Sequence, residues 1–90
     1  MIYGYTIADK ADRKIFEETI RYMESDFGYK RDGPVIIDVD GSTFQRMIKA
    51  SSEIMVESDE VINYVVITSE EALPITCLRT WVGKNRRKQL

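Results

Sequence analysis

Three short runs rich in β-branched and aromatic residues, Ile2-Tyr3-Gly4-Tyr5-Thr6-Ile7, Val35-Ile36-Ile37-Asp38-Val39 and Val61 to Ile67, alternate with two stretches whose apolar residues recur at helical intervals. This alternation limits the available folds more than any other feature of the chain. Runs of this composition and length read as strands, and near-continuous apolar ones suit a sheet buried on both faces. Between the first two, Phe16, Ile20, Met23 and Phe27 follow one another at intervals of four, three and four, as on one face of a helix. Asp9 is placed to cap that helix and Gly28 to end it. Tyr29 to Gly33 then reads as a polar turn, with Pro34 leading into the second strand.

The second helical stretch begins after Asp40-Gly41. Ser42-Thr43-Phe44-Gln45 has the form of a capping box, in which Ser42 and Gln45 satisfy each other's free amides. Phe44, Met47, Ile48, Ser51, Ile54 and Met55 stay on one helix face until Glu57-Ser58-Asp59-Glu60 breaks the pattern. The resulting βαβαβ order predicts an α/β fold with a mainly parallel sheet and right-handed crossovers, followed by a C-terminal helix or an extra strand. Pro74 suits the first position of a helix, whereas Ile75 to Val82 has a strand-like mixture of residues. Gly83 separates a single domain, residues 1–83, from a basic C-terminal tail, residues 84–90.

A chain of 90 residues, 43% hydrophobic and 31% charged, is expected to fold around one core. No apolar stretch approaches the ~20 residues that cross a bilayer. The apolar start of the chain stops at Ala8-Asp9-Lys10 without a leader-like run, so a cytoplasmic protein with no membrane partner is expected. Cys77 is the only cysteine and the chain has no histidine. An intramolecular disulfide, Cys₂-type zinc sites, and Ser-His-Asp or Cys-His catalysis are thereby excluded. No cofactor and no disulfide-linked partner are expected, and Cys77 reads as a small core residue.

The stretch closest to known chemistry is Asp38-Val39-Asp40-Gly41-Ser42-Thr43, which resembles the Asp-x-Asp-Gly-Thr motif of haloacid-dehalogenase-type phosphatases. The resemblance spans about six residues and implies Asp38 as nucleophile and Asp40 as general acid/base, with a magnesium ion offsetting their charge. The family's motif stands on the first strand of a longer domain, followed by a lysine and an acidic pair. A simpler account has Asp40 and Gly41 forming a turn and Ser42 capping the helix.

Met1-Ile2-Tyr3-Gly4-Tyr5 is similar to the opening strand of the serine recombinase (resolvase and invertase) catalytic domain, and the expected order of elements matches that family to about residue 73. There the strand continues with Ala-Arg-Val-Ser, whose arginine activates the phosphodiester and whose serine attacks it. Ile7 and Asp9 occupy the matching positions here, so the resemblance implies a catalytically inactive relative.

Charge is polarised along the chain: residues 1–71 hold 15 acidic and 8 basic side chains, and residues 72–90 hold five basic and no acidic ones. Lys84, Arg86, Arg87 and Lys88 are suited to phosphate contacts, and Trp81 beside them to an interface. The sequence therefore predicts a non-catalytic interaction or regulatory module that contacts a protein partner or a second copy of itself. The alternatives are a DNA-associated protein using the basic tail and a magnesium-dependent phosphoryl-transfer enzyme at Asp38 and Asp40.

Overall fold

The computed structural model describes residues 2–75 and the backbone of residues 79–83. The first apolar run forms strand β1 (Ile2–Ala8), and the helical spacing after it forms α1 (Arg13–Phe27). Asp12 rather than Asp9 starts the helix: one of its carboxylate oxygens accepts the N–H groups of Lys14 and Ile15 at 2.8 and 3.1 Å. Gly28 ends it in the left-handed conformation, φ 75°. Phe16, Ile20 and Met23 face inward from α1 and are buried against Tyr5, Met47, Ile54, Val56 and Ile67 of the sheet.

The second helical stretch is not a helix. Residues Thr43–Lys49 form strand β4 and Ser52–Asp59 form β5, paired antiparallel from Thr43 opposite Ser58 to Lys49 opposite Ser52. The apolar spacing that fits a helix also fits two pleated strands. Thr43, Gln45 and Met47 point toward α1, while Phe44, Arg46 and Ile48 alternate to the other face. The hairpin turns at Ala50, held at φ 54° without the Gly or Asn that usually signals such a turn. Glu57-Ser58-Asp59, which looks like a polar break, is instead the buried end of β5.

Asp59 then accepts the N–H groups of Val61 and Ile62, each at 2.9 Å, so the chain turns before β6 (Tyr64–Ser69) begins. Pro34 and the turn after Asp38 leave only a two-residue strand, β3 (Ile36–Ile37), in the second apolar run, and it is exposed rather than buried. Lys30–Arg31 add a second short strand, β2. The C-terminal segment supplies the extra strand, β7 (Arg79–Gly83), paired with β1 from Ile2 opposite Gly83 to Thr6 opposite Arg79. Cys77 lies outside the described residues.

These strands form one seven-stranded sheet in the order β2-β4-β5-β6-β1-β7, with β3 also on the free edge of β4. Every pairing is antiparallel. The expected mainly parallel βαβαβ sheet is therefore corrected to an antiparallel sheet with one helix, and the element order matched to serine recombinases is not the one observed. By the chain of antiparallel pairings β1 and β2 run in the same direction, and α1 connects them across the intervening strands. The strands between them come from a meander, β4-β5-β6, because two tight turns close these hairpins without a crossover.

The face opposite α1 also carries polar residues. Glu57 is buried there, in register between Phe44 on β4 and Val66 on β6. Thr6 continues the row beyond Val66, with Arg79 of β7 as its backbone partner.

Candidate functional site

Asp38 to Ser42 form the turn of the β3–β4 hairpin. The Gly41 N–H donates to the Asp38 carbonyl at 3.0 Å, and the Asp38 N–H donates to the Ser42 carbonyl at 2.8 Å. With Gly41 at φ 92°, this is a three-residue loop: a tight turn followed by a glycine bulge. Both candidate carboxylates brace it. Asp38 Oδ1 accepts the Val39 N–H at 2.7 Å, and Asp40 Oδ1 accepts the Ser42 N–H at 2.9 Å. Asp38 and Asp40 thus stand at the start and in the middle of a hairpin turn, not at a strand end that opens into a helix. Among the described residues no group of three or more acidic, histidine or cysteine side chains is placed to hold a metal ion.

The turn between β5 and β6 packs beside this loop. Ser42 Oγ accepts the Glu60 N–H at 2.8 Å, and Glu60 Cγ comes within 3.5 Å of where a β-carbon would stand on Gly41. Two hydrogen-bonded turns are thereby locked together at one end of the sheet. Their side chains do not fold inward: Val39 is fully exposed, and Ile36, Ile37 and Val61 each leave more than half of their surface in water. Scattered surface apolar residues are ordinary, but four exposed at one braced end, with Ile36 and Ile37 on opposite faces of β3 and Val39 and Val61 in the two turns, are a concentration of apolar surface suited to an interaction. Sequence patterning misassigned Ile36, Ile37 and Val39 to a buried strand. The available signal was the Asp40-Gly41 pair, which in a hairpin context marks a turn and leaves too few residues before it for a buried strand.

A concavity of about 320 Å³ lies at the opposite end of β5, near Ser52, Glu53, Ser69, Glu70 and Glu71. Ser52 Oγ donates to Glu71 Oε2 at 3.1 Å. Burial pushes the nearby Tyr29 phenol above its ordinary pKa, Glu71 pushes it the same way, and a hydrogen bond with Ser52 opposes them. Arg46 grips Glu53 through two bonds of 2.9 and 2.7 Å, which hold the Glu53 carboxyl below its usual range. A cleft lined by carboxylates, whose nearby tyrosine is biased toward its protonated form, is poorly suited to stabilise the oxyanion of acyl or phosphoryl transfer.

The remaining candidate residues fall elsewhere. Trp81 is in β7, opposite Gly4 of β1, at the sheet edge remote from β2 and β3. Lys84, Arg86, Arg87 and Lys88 lie outside the described residues. No helix among the described residues is long and apolar enough to cross a membrane. No family model, curated protein or solved structure matches the chain.

Proposed function

We propose that this protein is a non-catalytic module that binds another protein through the end of the sheet bearing Ile36, Ile37, Val39 and Val61. One observation carries the proposal: Val39 stands fully in water on a turn whose backbone and carboxylate hydrogen bonds are already made. A surface fixed before binding loses little conformational entropy on association, so its apolar area is available to a partner. The acidic cleft and the absence of histidine support a binding role over catalysis.

The test is affinity capture from the cells that make the protein, with quantitative mass spectrometry, comparing the full chain with Ile37→Asp/Val39→Asp. A specific set of proteins held by the natural chain and lost by the variant, with unchanged thermal stability, is the expected result. Identical capture by both chains would show that this end of the sheet is not the binding surface.

A further inference from the structure

The free edge of β4 is covered by two short strands of opposite character. β2 presents Lys30 and Arg31, and Arg31 is held 3.2 Å from Glu24. Charged residues of this kind are a common protection of sheet edges against pairing with other chains. β3 presents two exposed isoleucines instead, with no charge until Asp38. Its outer side also offers backbone groups. Inward and outward groups alternate along an antiparallel strand, and the Asp38 N–H is turned inward to Ser42, so the N–H and carbonyl of Ile37 face outward. Among the described residues β3 pairs with β4 only.

The surroundings of this edge are acidic. Asp38, Asp40 and Glu60 are exposed around the apolar end, and among the described residues none of the three forms an ion pair. Farther along the same edge the charges are matched, with Arg46 3.8 Å from Asp32 as well as bound to Glu53. A second copy docking through the same edge would bring carboxylate against carboxylate, and a nucleic acid would bring phosphate against them.

Building on the protein-binding role proposed above, we infer that the β3 edge takes an extended segment of a partner protein as an added strand, one that alternates apolar residues with lysine or arginine. The Ile37 backbone groups hold its main chain, Ile37 meets its apolar side chains on the face toward α1, and Asp38, on the opposite face with Ile36, attracts its cations together with the neighbouring Asp40 and Glu60.

A random peptide display library selected on the full chain, after depletion on Ile37→Asp/Val39→Asp, tests this directly. Enriched peptides are expected to show a two-residue apolar period with interleaved Lys and Arg. Bound to isotope-labelled protein, an enriched peptide should slow exchange of the Ile37 amide by about tenfold. The same peptide methylated on alternate backbone nitrogens should lose binding, which separates strand addition from side-chain docking. Enrichment of acidic or helix-period sequences, no enrichment, or equal binding by the methylated peptide would overturn strand addition. If cellular capture nevertheless depends on Ile37 and Val39, protein binding at this end stands and only the added strand falls; if it does not, both fall.

Discussion

The Ser42 hydroxyl accepts the backbone N–H of Glu60 at 2.8 Å, tying the β3–β4 turn to the β5–β6 turn across 18 positions of sequence. Ser42 is almost completely buried, so the bond is shielded from water. Replacing Ser42 with alanine leaves the Glu60 amide without its acceptor and should cost about 1–2 kcal/mol in urea denaturation. Faster exchange of the Glu60 amide should accompany the loss. An unchanged midpoint would mean that the two turns hold together without this bond.

Tyr5 makes a second long-range connection. Its phenolic oxygen, on a buried core residue, accepts the Leu73 N–H at 2.6 Å and holds the segment after β6 against the sheet. Tyr5→Phe keeps the ring and removes the acceptor, so a loss of about 1 kcal/mol is expected. Hydrogen exchange should rise at Leu73 and stay constant in the β4–β5 ladder; a uniform rise throughout the sheet would contradict this local role.

At the start of α1, Asp12 joins two elements: its carboxylate caps Lys14 and Ile15, and its own N–H donates to Ser58 Oγ at 3.1 Å. Asp12→Ala removes the cap and should destabilise the protein by about 1 kcal/mol, with fraying of the first helical turn visible in amide shifts. Asp9→Ala should leave that turn intact. Equal effects of the two substitutions would indicate that the helix starts differently.

Tyr29 gives stability a dependence on alkaline pH. Its folded pKa is raised above the ordinary 10.0, mainly by burial and then by Glu71, so the folded protein favours the neutral phenol. The associated stability is present below pH 10.0 and declines as pH rises toward and through the higher folded pKa. Stability curves for Tyr29→Phe should lack this alkaline decline, although removal of the hydroxyl lowers their plateau. Parallel curves for the two proteins above pH 10.0 would contradict it.

Val39, though apolar, contributes little to folding because it is fully exposed. Val39→Asp should change stability by no more than about 0.5 kcal/mol. A larger loss in thermal unfolding would mean that the side chain packs in the folded state and is not a free contact surface.

Several elements were legible in the sequence because local chemistry determines them. The first strand, the core face of α1 from Phe16 to Met23 and the glycine that ends it follow from side-chain type and short-range spacing. The turn propensity of Asp40-Gly41 was visible as well, although its place between two strands was not. Tertiary structure decided the rest. Residues 43–55 satisfy a helical period and a strand period at once, and the assembled sheet decides for the strands, because β6 pairs with the outer side of β5, β2 and β3 pair with β4, and α1 covers Met47, Ile54 and Val56. The exposed end has the same origin: Ile36, Ile37 and Val39 are apolar by sequence, but their exposure follows from a turn that ends β3 after two residues at the edge of a sheet assembled from distant segments.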